Sequence, residues 1–398
     1  MSRQLVARSP DLLRLREEGY DIAIDVATSH LLVRAPYVTA EKTVARGTLV
    51  SSLTLSGETT AAPGDHVVWF VGATPEDKPC DRQGHVLEAL INQHGPISLG
   101  GELIASCSFS HKPEPTYPDY YEKMSTYADM LLAHVQVIDP DATVRTFPPV
   151  PAEEEESVFR YLDSASARAQ IGAVTDKLRG HKLVIIGGGG TGSYILDLVT
   201  KTPAETIHVY DRDVMLTHNA FRSPGAASLE ELIARPRKVD YLLGKYDAMH
   251  RGVVAHPEHV DAANIDQLQD ADFVFIAIDD GPAKKFIIEN LQAFGVRFID
   301  VGMGLYQHGD SLAGLVRTTT SVPGHGDHIW ENDRISFADE DDDVYDQNIQ
   351  IADLNMLNAA LAVIKWKKIF AFYIDLEHEL SSTYTIDGNH MLNEDHAP

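Results

Sequence analysis

The chain has 398 residues, of which 44% are hydrophobic and 23% charged, so it has the composition of a globular protein large enough for two domains. Its formal net charge of -26 argues against nucleic acid or an anionic membrane surface as its main partner. No apolar run approaches the roughly 18 residues of a membrane-spanning helix, and two cysteines are too few for a disulfide framework. Together with an N-terminus that lacks an apolar signal segment, these features predict a cytoplasmic protein.

Residues 1–150 are predicted to form a small α+β domain. Short segments of strand character are separated by turn residues, which is typical of an antiparallel sheet: 20–26, 30–34, 48–54 and 66–71. Helical spacing occurs at 83–93 and at 119–134.

A domain boundary is predicted near residue 150. Residues 146–156 combine three prolines with four consecutive glutamates, and such a segment favours an extended, solvated backbone. The second domain is therefore expected to span residues 151–398. A segment with helical spacing, 159–178, leads into its first strand.

The second domain opens with a pattern typical of nucleotide-binding sheets. An apolar strand at 182–186 is followed by a glycine-rich turn, a helix, and a second strand at 206–210 that ends at Asp211. The turn carries three glycines at the dinucleotide-binding spacing, Gly187, Gly189 and Gly192. Such glycines let the backbone approach a phosphate closely, and the helix N-terminus offers the phosphate free N–H groups. The pattern predicts a Rossmann-like doubly wound α/β sheet.

Strands and helices continue to alternate towards the C-terminus, as a mostly parallel sheet requires. The predicted strands are 252–256, 272–278, 296–301 and 312–320, and the predicted helices are 228–250, 282–294 and 349–373. Residues 391–398 are expected to be loose.

Residues suited to phosphate chemistry follow the predicted strands. Arg222 and Lys238 could meet the charge that develops when ATP is cleaved between its α- and β-phosphates. Asn219 could hydrogen-bond phosphate or ribose, and Asp211 could bind ribose hydroxyls or cap the next turn. Asp279 ends a buried strand, where a carboxylate could hold Mg²⁺ or cap the following helix.

Taken together, these residues resemble the ThiF/E1 family, the adenylating enzymes that activate ubiquitin-like and sulfur-carrier proteins. The family pattern is a Gly-x-Gly-x-x-Gly turn, an Asp-x-Asp pair, Asn-x-x-Arg, a lysine and a strand that ends in Asp. It recurs in order over about residues 155–375, as the three glycines, Asp211, Asp213, Asn219, Arg222, Lys238 and Asp279.

The resemblance implies an enzyme that uses ATP and Mg²⁺ to adenylate the C-terminal glycine tail of a ubiquitin-like protein. It implies that Lys238, Arg222 and Asn219 contact the phosphates, that Asp211 contacts the ribose, and that Asp279 holds the magnesium. It also implies a homodimer in which each subunit lends an arginine to its partner's ATP. Arg160 is the candidate for that arginine, and Arg168 is the reserve.

The chain departs from the family pattern in two ways. Residues 151–398 contain no cysteine, so the thioester-forming cysteine and the zinc-binding pair found in many relatives are absent. The acyl group could pass to an outside nucleophile such as an E2-like carrier. A hydroxyl within 318–321 could also carry it, or Cys80 or Cys107 could do so in trans. The domain at residues 1–150 is the other departure, and docking of a ubiquitin-like protein or a carrier is the hypothesis for its role.

Two other functions remain open on the sequence. Sulfur-carrier activation for cofactor or tRNA modification uses the same adenylation chemistry. An NAD-dependent oxidoreductase would use the same glycine-rich turn, but it would also need a proton-transfer residue near the nicotinamide, and we identify no candidate for one. A scaffold that has lost turnover is disfavoured because Asp279, Lys238 and Arg222 are all present.

Overall fold

The computed structural model describes residues 2–101, 103–152, 157–338 and 349–397. The chain divides into two compact units. The first consists of residues 1–150 with 167–169, and the second of residues 151–166 with 170–398. Among the described residues, no helix is both long enough and apolar enough to cross a membrane.

The first unit is built on an antiparallel sheet. Its strands are β1 (Asp21–Asp25), β2 (His30–Val38), β3 (Val44–Ser52), β6 (Val67–Val71), β7 (Ile91–Gly100) and β8 (Leu103–Ser110). They are ordered β1-β2-β3-β6-β8-β7, and β4 (Leu55–Ser56) pairs separately with β5 (Thr59–Thr60). The helices are α1 (Ser2–Arg8), α2 (Pro10–Glu17) and α3 (Tyr120–Val135). Apolar residues of α2, α3 and the strands share one core.

The four strands and the later helix predicted in this unit are confirmed, but the helix predicted at 83–93 is wrong. The Asp81 carboxylate accepts hydrogen bonds from the backbone N–H groups of Gln83 and His85, which fixes a turn there instead. The apolar spacing that suggested a helix comes from Leu87, Leu90 and Ile91, which pack against the core from a loop and from the start of β7.

The second unit is built on an eight-stranded sheet. Its strands are β9 (Lys182–Ile186), β10 (Thr206–Tyr210), β11 (Val253–His256), β12 (Phe273–Ile276), β13 (Phe298–His308), β14 (Ser311–Ser321), β15 (Glu379–Thr385) and β16 (His390–His396). Their order is β11-β10-β9-β12-β13-β14-β15-β16. The first five are mutually parallel, and the last three are added antiparallel.

Helices cover both faces of this sheet. They are α6 (Gly190–Val199), α7 (Thr217–Ala220), α8 (Leu229–Ala234), α9 (Lys238–Tyr246), α10 (Gly281–Phe294), α11 (His328–Glu331) and α12 (Ala352–Ile369). Two short helices without buried residues, α4 (Ser164–Arg168) and α5 (Gly172–Thr175), precede β9. Residues of α6, α9 and α12 share one core with β9 and β12, and residues of α10 share another core with the opposite face. The predicted fold, a Rossmann-like doubly wound α/β sheet preceded by a smaller α+β domain, is confirmed.

Three predicted segments differ from the structure. The helix predicted at 228–250 is split into α8 and α9, because Arg235 is left-handed with φ 45° and Pro236 cannot donate to a helical hydrogen bond. The segment 159–178 contains only short helices, interrupted at Gln170, which also has a positive φ. Residues 391–396 are not loose but belong to β16, whose exposed polar side chains conceal its pairing with β15.

Candidate functional site

The glycine-rich turn joins β9 to α6 and has no room for a side chain at Gly187 or at Gly192. A Cβ on Gly192 would lie 1.8 Å from the carbonyl oxygen of Gly187, and Gly187 itself has φ +97°. Gly189 is different, because no described atom beyond its own chain neighbours and the backbone of α6 lies within 4 Å of the position that its Cβ would take. The turn is therefore tight at its base and open at Gly189, where a ligand could contact the backbone.

A cleft of about 890 Å³ lies in the second unit, next to this turn. It borders the residues that follow β9, β10 and β12 and continues along β13 and β14. Most of the sequence-predicted site residues line it, namely Gly187, Gly189, Asp211, Asp213, Arg222, Lys238 and Asp279. Ligands of doubly wound sheets bind at this edge, outside the carboxyl ends of the strands.

Asp211 and Lys238 form the end of the cleft nearest β10. The buried Asp211 carboxylate accepts hydrogen bonds from the N–H groups of Gly188, at 2.9 Å, and Asp213, at 2.8 Å, so it holds the turn in place. The Lys238 ammonium lies 2.8 Å from the Asp213 carboxylate and 3.4 Å from that of Asp211. The hydrogen bond from Lys238 holds the pKa of Asp213 below its usual value. Lys238 is thereby fixed at the cleft wall.

Arg222 contributes a second cation to the cleft. Its Nε is buried and has no hydrogen-bond partner among the described residues. A buried donor without a partner is rare in proteins and costs free energy unless a ligand satisfies it. Arg222 therefore fits a site for an anion.

Asn355 is a residue that the sequence reasoning missed. It lies on α12 and is 1% exposed, and its side-chain oxygen accepts a hydrogen bond from Thr191 Oγ1 at 2.8 Å. Its amide also blocks the position that a Cβ on Gly190 would take. Asn355 thus supports the glycine-rich turn from a helix more than 160 residues away in sequence, and no local motif marks it.

Two adjacent aspartates after β12 have different surroundings. Asp280 caps α10, because its carboxylate accepts a hydrogen bond from the N–H group of Ala283 at 2.8 Å. Asp279 and Asp280 both line the cleft. No group of three His, Cys, Asp or Glu side chains within the described ranges is arranged to hold a metal. A single carboxylate still fits Mg²⁺, which commonly takes one or two protein carboxylates with phosphates and water.

Two predicted site residues lie elsewhere. Asn219 is buried and accepts a hydrogen bond from the N–H group of Leu216 at 2.9 Å, so it caps the short helix α7 and does not border the cleft. Arg160 is ion-paired with Asp247 on the same chain, also away from the cleft. The reserve candidate, Arg168, lies over the ring of Phe147. None of these three side chains therefore lines the cleft of its own chain.

The candidate acyl carriers are also buried. Residues 318–321 lie within β14 and are at most 5% exposed. Cys80 and Cys107 are free thiols in the interior of the first unit. Burial raises the pKa of both thiols, that of Cys107 to about 11. A nucleophilic thiol needs the opposite shift, so neither cysteine is activated in this conformation.

The model of a domain of unknown function, DUF6791, matches residues 10–164. No curated protein matches the chain.

Among solved structures, the chain is similar to E. coli MccB crystallised with ATP, at 16% identity and a TM-score of 0.45 over 56% of this chain and 67% of that one. E. coli MccB with succinimide gives 16% identity and a TM-score of 0.44 over the same shares of the two chains. PaaA gives 16% identity and a TM-score of 0.43 over 56% of this chain and 75% of that one.

Proposed function

We propose that this protein is an ATP- and Mg²⁺-dependent adenylyltransferase that activates the C-terminal carboxylate of a ubiquitin-like protein. The observation that carries the proposal is the content of one cleft. It joins an open glycine-rich turn, two cations, Arg222 and Lys238, and a strand-terminal carboxylate, Asp279. This is the set of groups that binding and cleavage of a nucleoside triphosphate requires.

In this proposal the triphosphate lies over the glycine-rich turn. The N-terminus of α6 directs backbone N–H groups and the positive end of its dipole at the phosphates. The open backbone at Gly189 supports such close approach. Asp211 and Asp213 lie at the ribose side of the nucleotide, and Asp211 also keeps Gly188 in position through their hydrogen bond.

Adenylation needs no general base here, because a C-terminal carboxylate is already ionised at pH 7. One carboxylate oxygen attacks the α-phosphorus, and the bond from that phosphorus to the bridging oxygen of the pyrophosphate breaks. The products are an acyl-adenylate and pyrophosphate. Arg222 and Lys238 stabilise the negative charge that builds on the phosphates during this displacement. Asp279 would hold Mg²⁺, which supplies charge neutralisation to the phosphates when bound.

The reaction on this chain ends at the adenylate in our proposal. The burial of residues 318–321 and of both cysteines supports transfer of the acyl group to an outside nucleophile. That nucleophile would belong to an E2-like carrier or, in the sulfur-carrier variant of the function, would be a sulfur donor.

We extend the proposal to the assembly and to the first unit. In a homodimer, Arg160 would leave its ion pair with Asp247 and contact the ATP bound to the partner subunit. The first unit would dock the ubiquitin-like protein or a carrier. Its own hydrophobic core supports a separate role.

The test is exchange of radiolabelled pyrophosphate into ATP in the presence of Mg²⁺ and ubiquitin-like proteins that end in Gly-Gly. Exchange that depends on such a protein supports the proposal. Exchange only with sulfur-carrier proteins would favour sulfur-carrier activation, which uses the same adenylation chemistry. Binding of NAD without binding of ATP would overturn it.

A further inference from the structure

The half of the cleft away from Asp211 carries a second group of charges. It borders β13 and β14 and the first turn of α10, and its lining includes Lys284, Gly304, Leu315 and Arg317. None of these residues has a part in the nucleotide site described above. In a chain with a net charge of -26, two cations in one wall of a cleft need a physical reason.

The two cations share one carboxylate beneath them. The Asp300 side chain is fully buried, its Oδ2 lies 2.8 Å from Arg317 Nη2, and its Oδ1 lies 3.1 Å from Lys284 Nζ. Arg317 also donates to Thr319 Oγ1. Two positive groups therefore border the cleft while their single counter-charge lies below its surface. Lys284, Arg317 and Asp300 together carry one net positive charge, and the buried ion pairs hold the two cations in place.

Gly302 creates the position that Arg317 occupies. Gly302 pairs with Arg317 in the β13–β14 register, and Asp300 pairs with Thr319 two residues earlier on the same face. A Cβ on Gly302 would lie 2.6 Å from Arg317 Nη2. Because Gly302 has no side chain, the guanidinium can lie across β13 and reach Asp300. Gly304 is the next residue on this face, and no described atom beyond its chain neighbours lies within 4 Å of its Cβ position. The floor of the cleft is therefore also open there.

The sheet order separates Lys284 and Arg317 from the residues proposed to bind the nucleotide. Asp211 follows β10, Asp279 follows β12, and Arg317 lies on β14, four strands from β10 in the order β10-β9-β12-β13-β14. At about 4.8 Å per strand, the backbone of Arg317 lies roughly 19 Å along the sheet from β10 and roughly 10 Å from β12. Its guanidinium, which lies across β13, is about one strand nearer to both. An anion held by Lys284 and Arg317 would therefore approach the phosphates from the side opposite the ribose.

We propose that Arg317, together with Lys284, binds the C-terminal carboxylate of the protein substrate and directs it towards the α-phosphate. This assignment rests on the proposed adenylation. A guanidinium has a planar fork of N–H donors, and two of its five donors are used by Asp300 and Thr319, so others remain for a carboxylate. The open floor at Gly304 favours an extended tail of small residues in front of the carboxylate.

The experiment measures recognition of the carboxylate without turnover. The probe is a pentapeptide library with three random positions followed by Gly-Gly, made once as free acids and once as C-terminal carboxamides. Full-length protein is incubated with each form, Mg²⁺ and an ATP analogue that cannot be cleaved between the α- and β-phosphates. Retained peptide is measured by mass spectrometry. We expect wild type to retain the acids about 10- to 100-fold better than the amides, the range of a hydrogen bond to a charged group.

Arg317→Gln should reduce this preference to about twofold or less and leave the affinity for the ATP analogue unchanged. Lys284→Gln should weaken the preference, whereas Lys285→Gln, which removes the exposed neighbouring lysine, should not. Arg317→Lys, which keeps the charge that pairs with Asp300, should fold and retain part of the preference.

Equal retention of acids and amides by wild type would overturn the proposal, as would an unchanged preference in folded Arg317→Gln or Arg317→Lys. Weaker binding of the ATP analogue or of inorganic pyrophosphate to these variants, with the acid preference intact, would assign the two cations to phosphate and also overturn it. Failure of the proposed function is separate, because it would appear as the absence of binding of the ATP analogue to wild type.

Discussion

The α-carbon of Gly192 faces the carbonyl oxygen of Gly187, and a Cβ added to it would lie 1.8 Å from that oxygen. Gly192→Ala should therefore force the turn apart and lower the free energy of unfolding by about 3 kcal/mol or more, the upper range for an overpacked site. Gly189→Ala should leave stability within about 1 kcal/mol, because its Cβ position is open. The new methyl group would stand where the phosphate approaches, so ATP affinity should fall about tenfold.

Chemical unfolding and ATP titration of the two variants check this contrast. A stable Gly192→Ala protein, or a Gly189→Ala protein that binds ATP as wild type does, would contradict the role given to the turn.

Arg222 and Asn219 belong to the same sequence motif but have different roles. Arg222→Ala removes a cation that borders the cleft, so kcat/KM for pyrophosphate exchange should fall about 100-fold or more, as for loss of one transition-state donor. Asn219→Ala removes only the cap on α7 and should cost about 1 kcal/mol of stability with kinetics within about twofold of wild type. Similar kinetic losses in both variants would show that Asn219 reaches the nucleotide.

His250 should make the second unit sensitive to acid. It is fully buried, its Nδ1 accepts a hydrogen bond from the N–H group of Gly252, and its Nε2 donates to the carbonyl of Ala204, so the ring is neutral. Burial holds its pKa below the ordinary value of 6.5. As the pH falls below 6.5, the unfolded chain binds a proton that the folded protein does not. Stability therefore decreases, by about 1.4 kcal/mol per pH unit, until the folded pKa is reached.

Urea unfolding between pH 8 and pH 5 measures this slope. His250→Gln should reduce the slope by about 1.4 kcal/mol per pH unit, the contribution of one bound proton. His390→Gln, at an exposed residue of β16, is the control. Parallel curves for wild type and His250→Gln would contradict the prediction.

The two cysteines should be slow to react in the folded protein. Burial and the raised pKa of Cys107, about 11, keep its thiolate scarce at pH 8. We expect alkylation by iodoacetamide to be roughly 100-fold slower than in urea. The Cys80→Ala/Cys107→Ala double variant should retain pyrophosphate exchange and acyl transfer to a carrier. Loss of acyl transfer with pyrophosphate exchange retained would instead support a thioester on a cysteine of the first unit.

The sequence located those parts of the candidate site that are local. The glycine-rich turn, Lys238, Arg222 and Asp279 each stand beside a recognisable strand or turn, and the structure brings them to one cleft. Asn355 and Arg317 could not be found this way. Asn355 acts on the turn from α12, and Arg317 depends on Asp300 and Gly302 across a strand pair. Such contacts exist only after the chain has folded.

Local patterns also misled where a side chain competed with the regular structure. The Asp81 turn replaced a predicted helix, and Pro236 split another. The edge strand β16 was not recognised in the sequence because most of its residues are polar and exposed. An edge strand needs no continuous apolar face.

The central claim is that a substrate carboxylate attacks the α-phosphate of ATP, and oxygen-18 tests it most directly. The ubiquitin-like protein that supports exchange would be labelled in its C-terminal carboxylate, incubated with the protein, ATP and Mg²⁺, and the adenylate discharged with hydroxylamine. We predict one labelled oxygen in the AMP, unlabelled pyrophosphate, and no reaction with Asp279→Ala. Label in inorganic phosphate with release of ADP would mean an acyl phosphate and would contradict the account.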